Sequence, residues 1–174
     1  MRWPVLHGIM DHKLGWPITH GKRCTSRLRE ENRDMPPDLQ ENRRLVRLYF
    51  DLLNRNDLSG LEEILSPDVV FFGPRAPEGI YGREAFIEFI AALGRELPDL
   101  RFAEGEMVAE GSRVASVFTM RSTQNSEEGR AKVIATEGMD LFHIADGRIQ
   151  QINAYLDRLS SLVELGLISP PAQI

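Results

Sequence analysis

An α+β fold, with helices packed on one face of a strongly curved sheet, is what the sequence predicts, and three features predict it. Apolar residues recur at helical spacing early on, at Leu45, Leu48, Tyr49, Leu52 and Leu53. From Leu100 onward the pattern changes to four consecutive strands. The last two of them meet at Ala145-Asp146-Gly147, and Asp-Gly between apolar alternation is the strongest short-range hairpin signal.

Residues 1–37 differ in character from the rest of the chain. They hold both tryptophans, the sole cysteine, Cys24, and three of the four histidines, His7, His12 and His20. Up to Asp34 there are seven basic and four acidic residues, a balance of +3 that leaves −8 of the total −5 for the remainder. No helical or strand period persists through Gly8, Gly15, Pro17 and Gly21, so this segment reads as a poorly ordered extension. Met35 is a candidate alternative start. The three histidines and Cys24 are the residue types that hold zinc, but their spacings match no standard ligand pattern.

From Asp38 to the C-terminus the chain reads as one domain. Asp38-Leu39-Gln40-Glu41 resembles a capping box, and the helix it opens runs to about Asn54. Ser59-Gly60-Leu61-Glu62 opens a short second helix ending near Leu65. Ser66-Pro67-Asp68 then turns the chain into the strand Val69-Val70-Phe71-Phe72, and Gly73 to Gly79 reads as loop. Gly82 precedes a third helix with Phe86, Phe89, Ile90, Leu93 and Leu97 along one stripe. Strands occupy 100–109, 113–123, 132–144 and 148–156, with a polar loop at 124–130. A short terminal helix through Leu162 and Val163 ends at Gly166.

Composition narrows the partners. A chain of 174 residues suits one core rather than two. A net charge of −5 argues against nucleic acid, which demands a basic surface. No apolar run approaches a membrane span, and one cysteine leaves no internal disulfide. The cytoplasm is the expected compartment.

The chemically distinctive residue is Asp140. It lies mid-strand in phase with Ile134, Thr136, Gly138, Phe142 and Ile144, which puts a carboxylate in a mostly apolar row. Either it is paired as a structural group, or it works as an acid or base. The opposite phase, Val133, Ala135, Met139 and Leu141, is apolar too, so both strand faces read as buried.

Several segments in order resemble a known superfamily: Arg47 through Asp57, Ser66-Pro67-Asp68-Val69-Val70, Gly82-Arg83-Glu84-Ala85, Pro98-Asp99-Leu100, Gly138-x-Asp140-x-Phe142 and Asp146-Gly147-Arg148-Ile149. Together they look like the nuclear transport factor 2-like proteins, and within these the SnoaL-like polyketide cyclases and related predicted ester cyclases. The resemblance spans roughly residues 39–166. It implies a cone-shaped barrel, a mainly antiparallel sheet wrapped on a long N-terminal helix, with a conical cavity and often a dimer through the outer sheet face. It also implies that Asp140 faces the cavity as general acid/base on an apolar carbonyl or polyketide-like compound; with no metal, nucleotide or flavin motif in the sequence, that chemistry is expected to run without a cofactor. A carboxyl desolvated by Phe142 and Ile144 would titrate near neutrality, which suits such work.

The sequence departs from the family pattern in two respects, a missing histidine and, after it, a shortened and polar loop at 124–130 in place of the usual glycine-rich one. Ser122-Thr123-Gln124 stands where cyclases carry a histidine, and Gln124 hydrogen-bonds but cannot shuttle a proton. The ketosteroid isomerase comparison aligns Tyr49 with a catalytic tyrosine but puts Gly73 where the base belongs. The limonene epoxide hydrolase pattern needs an arginine and an aspartate two apart, and Arg121 is followed by Thr123.

Tyr49, Gln124, Phe142, Asn153 and Tyr155 are the candidate ligand contacts around Asp140. Gln151, Asn153 and Tyr155 share one phase of the last strand and form a polar wall if that phase faces inward. Glu137 and His143 lie in the phase opposite Asp140, which assigns Glu137 to a sheet-face ion pair and His143 to structure. Arg121 is placed near the mouth, and Asp157 as a helix cap. The expected function is acid/base chemistry in a homodimer; the alternative is a non-catalytic binding or assembly module on the same scaffold.

Overall fold

The structure, a computed structural model, describes residues 37–169. The extension, with its histidines and Cys24, lies outside the described residues. Four helices and six strands succeed one another as α1 (Pro37–Arg55), α2 (Leu58–Ile64), β1 (Leu65–Gly73), β2 (Ala76–Tyr81), α3 (Arg83–Glu96), β3 (Arg101–Glu110), β4 (Arg113–Asn125), β5 (Ala131–Ala145), β6 (Arg148–Leu156) and α4 (Arg158–Glu164). No helix among them is long and apolar enough to cross a membrane.

The strands form one sheet in the order β2-β1-β6-β5-β4-β3. Every neighbouring pair is antiparallel except β1 with β6, which are parallel. The sheet is therefore mixed and open, with β2 and β3 at its edges, and the expectation of a barrel is corrected. Register irregularities interrupt β1–β6, β3–β4 and β5–β6, and an extra residue on one strand bends it and sharpens its twist.

Three local expectations change. Residues 73–79 are not all loop: Gly73 pairs with Ala76 across Pro74-Arg75, and β2 continues from there. Pro77 and Gly79 hide this strand in the sequence, and an edge is where a proline without an N–H is tolerated. Ser66-Pro67-Asp68 likewise lies within β1, in the stretch where its register against β6 shifts. The second helix is capped by Asp57, whose side chain accepts from the Gly60 N–H, not by Ser59. The β5–β6 hairpin forms as expected, with Asp146 and Gly147 both at positive φ, 51° and 69°, as a tight primed turn requires.

Helix α1 packs against β3 and β4, where Phe50 meets the rings of Phe102 and Phe118, and its Val46, Tyr49, Phe50 and Leu52 are all buried. Its C-terminal end is pinned: Asn54 Nδ2 donates to the Phe102 carbonyl at 2.9 Å, and Asn54 Oδ1 accepts from the Phe102 N–H at 2.8 Å. Helix α3 lies on β1 through the ring cluster of Phe71, Phe86 and Phe89, with centroids 5.2–6.3 Å apart. Helix α4 is capped by Asp157 and held on β5, where Thr136 Oγ1 and Ser161 Oγ share a 2.6 Å hydrogen bond. The two faces of β5 are not alike. Its Ile134–Ile144 row is inward and the opposite phase is open, with Val133 66% exposed, so burial of both faces does not hold for the single chain.

Candidate functional site

The inward row of β5 builds the site. Two residues before Asp140, Gly138 admits the Leu156 and Phe118 side chains over the strand: a Cβ there would come within 2.6 Å of Leu156 Cδ2 and 2.7 Å of the Phe118 ring. Across the sheet, Asp140 pairs with Ser116 on β4 and Ala154 on β6. The small Ala154 lines an open space on the β6 side of the carboxyl. That space is a cavity of about 210 Å³ between the sheet, α1, α3 and α4. Its walls are mostly apolar, with Leu53, Phe71, Phe89, Phe118, Met120 and Leu156 among them.

Asp140 is 5% exposed and lines this cavity, and its Oδ1 has no hydrogen-bond partner among the described residues. Burial without a compensating cation pushes its pKa up to about 8. The carboxyl is then protonated at neutral pH and presents an O–H donor as well as acceptor oxygens. Tyr49 lines the same cavity, and its phenol is held well above the ordinary range first by burial and then by the Asp140 carboxylate nearby. Edge-on contacts with Phe50 and Phe142, at 5.4 and 5.2 Å, fix the ring. Ser116 Oγ, fully buried behind Asp140, is likewise unpartnered among the described residues.

Of the residues selected from sequence, Asp140, Tyr49 and Gln124 meet at the cavity; Gln124 Nε2 donates to Ser122 Oγ at 3.0 Å. Phe142, Asn153 and Tyr155 do not line it. Phe142 has no exposed surface and packs behind Tyr49 as core. Asn153 and Tyr155 face the outer side, Tyr155 57% exposed and Asn153 accepting from Gln151 Nε2 at 3.1 Å. The cause is the irregularity where Ile144 pairs with Ile149 but His143 with Gln151: Ile149, Ile152, Ala154 and Leu156 turn inward, and the polar row turns out.

The remaining candidates fall outside the cavity. Glu137 accepts from Thr119 Oγ1 at 2.9 Å on the outer face, a hydrogen bond in place of the expected ion pair. His143 and Arg121 are exposed, and Arg121 is not at the mouth but opposite Ala135 and Arg101 on the outer face. Three charged residues that the sequence pattern does not single out do line the cavity: Arg75, Glu96 and Arg158. The spacing of Arg158, Ser161, Leu162 and Leu165 marks them as one helical face, but not which way that face looks.

With this geometry in place, the model of the SnoaL-like domain family matches residues 46–152. The chain belongs to the SnoaL-like domain family. The matched region of this SnoaL-like domain contains Tyr49, Gln124 and Asp140, whereas α4 and Arg158 lie beyond it. Among solved structures, a candidate SnoaL-like polyketide cyclase from Jannaschia sp. CCS1 superposes with a TM-score of 0.66 at 21% identity, covering 79% of this chain and 99% of that one. IdmH, a candidate polyketide cyclase from Streptomyces antibioticus, gives 0.62 at 22% identity, over 72% of this chain and 98% of its own. TerC, co-crystallised with polyporic acid, gives 0.60 at 21% identity, over 72% of this chain and 97% of its own. At these identities the likeness is one of fold. No curated protein matches the chain in sequence.

Proposed function

We propose that this SnoaL-like chain is a small-molecule enzyme in which Asp140 moves a proton on or off a carbon beside a carbonyl of an apolar, polyketide-like compound. The observation that carries the reading is an unpaired carboxyl aimed into a mostly apolar cavity. In its protonated form Asp140 donates to the carbonyl oxygen; once ionised, it takes the proton from the adjacent carbon. Tyr49 supplies a second O–H at the same cavity and stays protonated throughout the working range. Both steps are acid/base chemistry by side chains alone, without a cofactor. A space of about 210 Å³ is below the usual range for drug-sized ligands, which favours a compact ligand or one that projects through the mouth.

A thermal-shift screen of cyclic ketones and lactones finds ligands, and the bound compounds are then assayed for turnover. Asp140→Asn is expected to cut turnover by about 10²–10⁴-fold while binding persists. Undiminished turnover in that variant rejects the role. Gln124 favours a second reading, binding without chemistry, because its amide cannot relay a proton and is engaged with Ser122. Ligands that bind the wild type with no turnover would select it.

The outer sheet face supports a homodimer as part of the same proposal. Val117, Met139 and Tyr155 are exposed and lie side by side across β4, β5 and β6, since Val117 pairs with Met139 and Met139 with Tyr155. A row of exposed apolar side chains across three strands is the kind of surface a second sheet covers. Met139→Lys is expected to shift the sedimenting species from dimer to monomer; a monomeric wild type would remove the dimer from the proposal.

A further inference from the structure

We propose that the ligand carries an anionic oxygen group, such as a carboxylate, at the end left at the cavity mouth, and that Arg158 binds it. The inference rests on the cavity being the ligand site and adds the chemistry of the ligand's second end. Arg158, Ser161, Leu162 and Leu165 all line the cavity. Their spacing of three, four and seven places one helical stripe against it, with Arg158 at its head, exposed to solvent at the cavity mouth. The stripe is fixed in place because Ser161 is tied to Thr136 at 2.6 Å and to the Asp157 carbonyl at 3.2 Å.

The charges around the mouth leave Arg158 uncompensated. Arg75, the other arginine of the lining, is held by both oxygens of Glu96, at 2.7 and 2.6 Å, so that pair neutralises itself. No carboxylate among the described residues lies within ion-pair distance of Arg158. The adjacent Asp157 is occupied as a cap, accepting from the Ser160 N–H at 3.1 Å. On a chain of net charge −5, one guanidinium on the wall of an apolar cavity is a local inversion of sign. Its planar fork of donors matches a carboxylate better than it matches any neutral group.

The probe is 6-acetyl-2-naphthoic acid compared with its methyl ester, a rigid molecule with a ketone at one end and a charged or neutral group at the other. By calorimetry at low salt the wild type is expected to bind the acid about five- to tenfold more tightly than the ester, with the ratio shrinking as salt screens the charge. Arg158→Gln should bring the ratio close to one, and Arg158→Lys should keep most of it. Equal affinities in the wild type, or a preference that survives Arg158→Gln, overturns the assignment of Arg158 and leaves the cavity as ligand site intact. If neither compound binds the wild type at concentrations that saturate a retained ligand of the screen, the acid-binding mouth is rejected while the cavity reading stands. If nothing in the screen binds either, the cavity reading falls and takes this inference with it.

Discussion

Asp140→Asn is expected to stabilise the folded chain at pH 7, by about 2–4 kcal/mol, in the same variant that loses turnover. The sign is set by where the proton sits. In the unfolded chain the carboxyl titrates near 3.8, and in the folded chain near 8. Below pH 3.8 both states hold the proton and Asp140 does not distinguish them. Between the two values the folded state binds more protons than the unfolded one, so stability falls as pH rises, and above 8 the loss is complete. Asparagine carries no charge to desolvate and fills the same volume, so the variant escapes that decline. Urea melts of both proteins from pH 4 to pH 9 test this: the curves should meet at the acid end and separate toward pH 8. Parallel curves would mean that the carboxylate is hydrated or paired in solution, and the proton-transfer role would lose its physical basis. A buried acid that costs stability and has no structural partner is what a functional group looks like in a stability measurement.

What can be read from sequence, and what cannot, divides along the range of the forces involved. Asp140 is legible because strand periodicity is local: its phase with Ile134, Phe142 and Ile144 needs no knowledge of neighbouring strands. Tyr49 is legible for the same reason on a helix. The polar row Gln151, Asn153 and Tyr155 is not, because one irregularity near Ile149 in the β5–β6 pairing reverses the phase downstream, and nothing in Ile149-Gln150-Gln151 announces it. Strand β2 is hidden because Pro77 and Gly79 are breakers in isolation and tolerable at a sheet edge. The openness of the sheet and the exposure of Val117, Met139 and Tyr155 depend on what packs where, which apolar alternation alone leaves undetermined. Arg158 shows the limit best. Its stripe with Ser161 is plain in the sequence, yet only the Thr136–Ser161 contact turns that stripe toward the cavity.

Phe142→Ala is expected to cost about 3–5 kcal/mol, the loss typical of a buried aromatic truncated to a methyl group. Two residues from Asp140 on the same inward row, Phe142 reads in sequence as a ligand contact, but in the fold it has no exposed surface. It lies between Val114 on β4 and Ile152 on β6, with the rings of Tyr49 and Phe50 at 5.2 and 6.1 Å. Removing it opens a void behind Tyr49 instead of widening the ligand cavity, and Tyr49 then loses the contact that holds its hydroxyl near Asp140. The two positions predict different outcomes in one experiment. A ligand contact would lower affinity with the urea midpoint unchanged, whereas a core residue lowers the midpoint first. Phe142→Leu separates them further, because it keeps most of the volume: it should recover much of the stability and, with Tyr49 supported again, ligand affinity as well. Stability retained in Phe142→Ala with affinity lost would move Phe142 back to the cavity wall and require a different account of how Tyr49 is positioned.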